Sequence, residues 1–308
     1  MGVKEIISGY MGKTINGLFA GINADFFEGI TEIRVRSAKP LIIVRDRREY
    51  FLNKNGGFEY SISKRYIVTQ TDIQDALALM SDYSLYAFEE ELRGGYITLA
   101  GGHRVGVTGK AVIEGGQVRA LKNISGFNIR VSHEIKGCAD TLICKLALPH
   151  LYNTMIISPP GCGKTTLLRD VIRQLSDGMP GRFDGVTVAV ADERSEIAGC
   201  FRGVPQNDVG IRTDVLDGCP KAAGMSMLLR AMSPKVIAVD ELSGKRDAAA
   251  VEEIVNAGIC LICTIHGADM DEIRKKNALS DILYIFKRFV VLSGPGRINV
   301  YDERGTPV

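Results

Sequence analysis

Residues 158–166 read Ser-Pro-Pro-Gly-Cys-Gly-Lys-Thr-Thr, and this run restricts the possible folds more than any other stretch of the chain. A glycine-rich turn closing on Gly-Lys-Thr needs a strand before it and a helix after it, so that backbone N–H groups and one lysine can face a triphosphate. Both neighbours are legible. Met155-Ile156-Ile157 is a short apolar run of the buried-strand kind, and Leu168, Val171, Ile172 and Leu175 recur at helical spacing on one face. A surface turn that contained Gly-Lys by chance would need neither. The loop is therefore expected to hold nucleotide through Pro159, Pro160, Gly161, Cys162, Gly163, Lys164, Thr165 and Thr166. Its one departure from Gly, four residues, Gly-Lys-Ser/Thr is Ser158 in the first glycine position, where the backbone must accommodate a Cβ and affinity or turnover is expected to fall.

Hydrolysis asks for more than phosphate binding: a carboxylate to hold a metal and a group to orient the attacking water. The run Val236-Ile-Ala-Val-Asp240-Glu241 supplies both at the end of an apolar strand, where open α/β sheets bind ligands. Asp240, with Thr165, is the expected magnesium site, and Glu241 is expected to polarise water. An ordinary buried strand with an acidic turn is the alternative, weakened by the phosphate loop about 75 residues earlier. A second strand, 186–190, runs into Ala191-Asp-Glu-Arg-Ser-Glu196, from which Glu193 is the preferred catalytic candidate. A solvated acidic turn explains that segment equally well. A third, 259–265, ends at His266-Gly267, placing an imidazole where it can sense the γ-phosphate, or where it serves structure alone.

At 308 residues the chain is expected to form two domains, 1–136 and 137–308. The first reads as an α+β module. It has strands at 31–36 and 41–45, a helix over 72–82 with Thr71 and Gln74 as capping box, and short strands at 96–99, 104–108 and 117–121. Turns at Gly101-Gly102 and Gly115-Gly116 separate the last three. From residue 154 onward short buried strands alternate with helices, the α/β pattern of a mostly parallel sheet covered on both faces. Pro220 is expected at a first helical position and Asp247 as the cap of a later helix.

The formal net charge is +2, with 18 basic against 15 acidic residues up to residue 136 and 20 against 21 beyond it. Neither half is a basic nucleic-acid arm. Seven scattered cysteines, an odd number, argue against a disulfide framework and for a reducing, cytoplasmic setting. Cys260 and Cys263 form a Cys-x-x-Cys pair inside an apolar run, where burial explains them better than zinc. No apolar run approaches the roughly 18 to 20 residues needed to span a bilayer, and the N-terminus lacks the sections of a signal peptide, so any membrane role is expected to be peripheral.

The order of phosphate loop, acidic box, LLRAMSPKVIAVDE and CTIHGAD resembles the secretion ATPases of type II and type IV systems. More closely, LRGGYITLAGGHRVGVTGKAVI with SPPGCGKTTLLRD and VAVADERSEIAG is similar to the stage III sporulation protein AA family, over most of the chain. The resemblance implies a RecA-like P-loop NTPase domain with a smaller α+β N-terminal domain, assembled as a homo-oligomer, a hexameric ring. It further implies ATP and Mg2+ as cofactors, a membrane-protein partner in a secretion-like channel of endospore formation, and a place at the inner, cytoplasmic face of that membrane. Arginines of the N-terminal domain would neutralise γ-phosphate charge, and the matching residues are Arg104 in GGHRVGV and Arg130 in GFNIRVS. A guanidinium is always charged and forks toward phosphate oxygens, although a strand arginine facing water is the plainer alternative.

The chain departs from secretion ATPases in carrying Asp240-Glu241 followed by LSGKRD, where they usually end the motif in Gly-Glu with Arg-Asp soon after. The extra carboxylate makes the metal site resemble that of a general ATPase, and slow hydrolysis would fit the departure at Ser158. Two other readings stay open: a nucleotide-gated assembly scaffold with little turnover, and a nucleic-acid translocase, which the near-neutral halves disfavour. ATP and GTP are not separated, although no Asn-Lys-x-Asp motif is present.

Overall fold

Buried residues alternate with more exposed ones along strand Ile30–Arg36 of the first half of the chain, whereas the inner strands of the second half are buried almost without interruption, and each pattern builds its own kind of sheet. The computed structural model describes residues 2–84, 91, 95–275, 280–294 and 296–308. It divides into two compact units, Met1–His133 and Glu134–Val308.

The first unit holds strands β1 (Ile30–Arg36), β2 (Ile42–Arg45), β3 (Arg48–Phe51), β4 (Tyr96–Leu99), β5 (His103–Glu114) and β6 (Gln117–Arg130). They form one antiparallel sheet in the order β3-β2-β1-β6-β5-β4. Ile33, Val35, Val105, Phe127 and Ile129 project from one face into a core shared with Ile15, Leu18 and Phe19 of helix Lys13–Ala20 and Ile73 and Leu77 of helix Gln70–Met80. Burying each such side chain fully stabilises by about 1.5–3 kcal/mol.

Two expectations change here. The short strands at 104–108 and 117–121 are parts of one long hairpin, β5 and β6, which turns at Gly115 (φ 59°) and Gly116 (φ 80°). The helix expected over 72–82 begins at Gln70, because Thr69 and Asp72 form the capping box in place of Thr71 and Gln74. Asp72 accepts from Thr69 N at 2.8 Å, from the Thr69 hydroxyl at 2.8 Å and from the Tyr66 hydroxyl at 2.6 Å, a set of partners that fixes the helix start there.

The second unit holds β7 (Thr154–Ser158), a two-residue hairpin of β8 (Gly178–Met179) and β9 (Phe183–Asp184), then β10 (Val188–Asp192), β11 (Thr213–Asp217), β12 (Val236–Val239), β13 (Cys260–His266), β14 (Arg288–Gly294) and β15 (Arg297–Tyr301). Seven of them make a sheet ordered β11-β10-β12-β13-β7-β14-β15. It is parallel as far as β14, and β15 closes the edge antiparallel. Successive residues of each inner strand enter opposite cores. Ile156, Val190 and Ala238 meet helix Lys164–Asp177, while Ile157, Ala191 and Val239 meet helices Lys221–Met232 and Lys245–Asn256. Cys260 and Cys263 follow the same rule, buried in opposite cores as free thiols.

Two helix starts shift by local bonding. Pro220 is the N-cap of Lys221–Met232 and not its first helical residue. Gly244 caps Lys245–Asn256, and Asp247 sits in the first turn, where its carboxylate accepts from Ser243 N at 2.9 Å. Ser158 pairs with His266 and Val239 with Cys263, so β7 and β13 end together and β12 ends three residues before them, at the same carboxyl edge of the sheet.

Candidate active site

β7 is buried throughout and delivers the loop to that edge. Left-handed backbone falls on Gly161 (φ 75°) and Gly163 (φ 88°), not on Ser158, which is the last strand residue. The strain expected from a Cβ at Ser158 therefore does not arise, and its hydroxyl donates to Pro159 O at 2.9 Å. A Cβ built on Gly161 or Gly163 would meet no described atom within 4 Å, so open space lies beside the loop. Gly163 caps helix Lys164–Asp177, and among the described residues no side chain takes its first N–H groups. A helix end of that kind favours an anion.

Six side chains from three segments converge there. Lys164, only 6 % exposed, lies with Nζ 3.4 Å from Glu241 Oε1 and 3.4 Å from His266 Nε2. His266 Nε2 is 2.7 Å from the same Glu241 oxygen. Asp240 Oδ2 accepts from Thr165 Oγ1 at 2.6 Å, and its other oxygen accepts from the Thr264 hydroxyl. Thr264 Oγ1 also accepts from Glu241 N at 2.9 Å, which helps hold Glu241 at a left-handed φ of 56°. Such a backbone costs roughly 1–3 kcal/mol outside glycine and marks sites where orientation matters. Burial works to raise the Glu241 carboxyl, but the His266 hydrogen bond and the Lys164 charge outweigh it and hold the group below the usual carboxylate range. Glu241 is thus a carboxylate at neutral pH.

The Thr165 hydroxyl and the Asp240 carboxylate offer the hard oxygens that magnesium prefers. Among the described residues no cluster of three or more His, Cys, Asp or Glu side chains is arranged to hold a metal ion, so a dehydrated protein cage for another cation is not what this edge resembles.

The second acidic segment is organised differently. Asp192, at the end of β10, is 2 % exposed and accepts from the N–H groups of Glu196 (2.9 Å), Ile197 (3.0 Å) and Ala198 (2.8 Å). Burial pushes its carboxyl up to about 6 against the pull of those donors. Arg169, buried on the phosphate-loop helix, grips the same turn by donating to Ile197 O at 2.6 Å and Glu196 O at 2.7 Å. Glu193 pairs with Lys221 at 2.7 Å and lines a cleft with Arg194, Asp240 and Glu241. Arg194 donates to Glu241 Oε2 at 3.4 Å.

Sequence reasoning passed over Arg169, Arg194, Lys221 and Thr264. Thr264 had a usable signal, standing two residues before His266 in a strand and so on the same side of it. Arg169 had none, since its acceptors are backbone oxygens 27 and 28 residues away.

Arg104 and Arg130 belong to the first unit, where they are direct cross-strand partners on β5 and β6. The Arg104 guanidinium stacks 3.8 Å above the Tyr96 ring, and Arg130 faces Glu32 on its other side. Like charges placed opposite one another repel, and Glu32 offsets part of that.

Read against known proteins, the profile of the family described as "Sporulation stage III, protein AA" matches residues 3–308. The chain belongs to that family. Stage III sporulation protein AA of Bacillus subtilis (strain 168) is 40% identical over 287 residues, which is 90% of this chain and 88% of that protein. Protein SEEDLING PLASTID DEVELOPMENT 1 of Arabidopsis thaliana is 28% identical over 173 residues, 54% of this chain and 24% of its own length. Among solved structures, the Legionella pneumophila ATPase DotB superposes with a TM-score of 0.56 at 17% identity, covering 86% of this chain and 72% of DotB. The pilus retraction motor PilT with bound ADP gives 0.53 at 15% identity, covering 97% and 82%. At such identities the likeness is one of fold: this family member shares the mixed α/β, RecA-like fold of those ATPases. Among the described residues no helix is long and apolar enough to cross a membrane.

Proposed function

We propose that the chain is a Mg2+-dependent ATPase that works as a ring, a hexamer by resemblance, and energises or assembles a secretion-like channel during endospore formation. The observation that carries this reading is the meeting of Lys164, Thr165, Asp240, Glu241 and His266 at one sheet edge beside an open glycine loop. The residues present fit a magnesium nucleotide: two adjacent hard oxygens, one buried ammonium, and a helix start without a side-chain cap. Bound ATP with Mg2+ supplies the phosphoanhydride bond and the charge that draws electrons from it.

Lys164 would hold phosphate oxygens, and Thr165 with Asp240 would hold the metal. Glu241, ionised, would accept a hydrogen bond from a water and so orient that water's oxygen as the nucleophile. His266, bonded to Glu241, registers whether the γ-phosphate is there. Glu193 shapes the cleft beside them. Arg104 and Arg130 add positive charge from the N-terminal unit, with the division at 1–136 and 137–308 as the working domain scheme. The family likeness supports a position at the inner face of a membrane, beside a membrane-protein partner.

The tie between Lys164 and Glu241 favours one second reading, a nucleotide-gated scaffold, because it must open before Glu241 can meet water. One set of measurements separates the two: phosphate release, and sedimentation with and without a non-hydrolysable ATP analogue, for wild type, K164A and E241Q. The motor reading expects assembly lost in K164A, hydrolysis lost in both, and E241Q unable to support sporulation. Normal sporulation with E241Q would leave the scaffold.

A further inference from the structure

Three donors surround one carboxylate. Lys164 Nζ at 3.4 Å and His266 Nε2 at 2.7 Å meet Glu241 Oε1, and an Arg194 guanidinium nitrogen meets Oε2 at 3.4 Å. The first two are set by the fold, one in the first turn of a helix and the other at the end of β13. Arg194 is different. Its side chain is 63% exposed, and it stands in the turn after β10, next to Ser195 at a left-handed φ of 52°.

The cleft wall it shares with Asp192, Glu193, Glu196, Asp240 and Glu241 is mostly acidic, and Lys221 is the other cation among the described lining residues. Lys221 is committed to Glu193 at 2.7 Å, whereas the contact of Arg194 is long beside the about 2.7–2.9 Å of a charge-assisted bond. An exposed pair of that length is easily exchanged. An anion between an ammonium and a guanidinium is also the arrangement that a terminal phosphoryl group satisfies, and arginine forks toward phosphate oxygens.

We propose that Arg194 is a γ-phosphate-binding residue supplied by the same chain, and that the Glu241 carboxylate occupies the anion position which that phosphate takes over. A nucleoside triphosphate draws Lys164 and Arg194 away from Glu241 and leaves Glu241 bonded to His266, available to water. A diphosphate has no group that reaches Arg194. The contact between Arg194 and Glu241 thereby distinguishes triphosphate from diphosphate. This inference rests on the nucleotide site proposed above.

The test is a binding titration of the full chain with Mg2+, using a fluorescent non-hydrolysable ATP analogue and the matching ADP analogue. The proteins are wild type, K164A, R194A, R194K, E241Q and the R194A/E241Q double variant. R194A is expected to weaken the triphosphate about tenfold, the size of one charge-assisted contact, and the diphosphate less than about twofold. R194K recovers part of the loss, because a point charge lacks the fork. E241Q tightens the triphosphate several-fold, and that gain shrinks when Arg194 is also removed, since both act at one position. Equal losses for the two nucleotides in R194A, no loss at all, or no tightening in E241Q would overturn the proposal and leave the nucleotide site standing. Wild type that binds neither nucleotide, or binding that K164A leaves intact, overturns the site itself and the proposal with it.

Discussion

β10 and β12 run side by side in register, Val188 against Val236, and read Val-Ala-Val-Ala-Asp-Glu and Val-Ile-Ala-Val-Asp-Glu. Their acidic ends nevertheless do different things. Asp192 is sealed under a turn and spends its oxygens on three backbone N–H groups. Asp240, one strand nearer the phosphate loop, bonds two hydroxyls, one of them from the loop's own Thr165. Glu193 faces Lys221, whereas Glu241 faces Lys164 and His266. The residue types match, and position across the sheet assigns the roles. A carboxylate on the strand next to β13 meets Lys164 and His266, and one a strand further out organises a loop.

The sharpest way to break this contrast is E241Q. It should lower kcat for phosphate release by about 100- to 10,000-fold, the range for a lost general base. Its effect on unfolding free energy should stay within about 1 kcal/mol, as for a partly exposed pair. D192A should show the reverse profile. Urea unfolding should reveal a loss of about 2–4 kcal/mol, because three buried donors lose their acceptor, with hydrolysis retained per folded molecule. If D192A abolished hydrolysis while leaving stability intact, the two strand ends would have to trade roles.

Acid titration sharpens the same contrast. Burial raises the Asp192 carboxyl to about 6, above its unfolded value. The folded state therefore holds the proton more tightly. The stability this contributes is fully present below the unfolded value of about 3.9, and it is lost as pH rises through 6. Over that window wild type should lose up to about 3 kcal/mol relative to D192N in paired unfolding curves, a parallel course being the result that rejects it. The smallest effect belongs to E193Q. Its half-exposed pair with Lys221 is worth about 0–1 kcal/mol, and turnover should fall less than about tenfold, well short of a lost general base. A larger fall would return Glu193 to the direct catalytic part that its sequence position suggested.

Much of the site is legible in the sequence alone because its signals are local. Gly163-Lys164-Thr165 needs only the strand and helix on either side of it, and Val236 to Glu241 needs only an apolar run and two acids. The helix in the first unit was legible in its apolar face but not in its start, since Thr71 and Gln74 have the same capping spacing as Thr69 and Asp72. Tyr66, buried and bonded to Asp72, tips that balance. β3 left no alternation clear enough to read, and its pairing with β2 alone makes it a strand.

By itself, then, the sequence determined the parallel sheet buried on both faces, the loop that opens a helix, and the family to which the chain belongs, because each is encoded in periodicity or in residues adjacent along the chain. Only the tertiary structure decided which of two near-identical acidic strand ends meets Lys164, that Thr264 and Arg194 join the site, and that Arg169 clamps the turn beside it. Those outcomes depend on strand order and on contacts between residues dozens of positions apart, and no local pattern carries strand order.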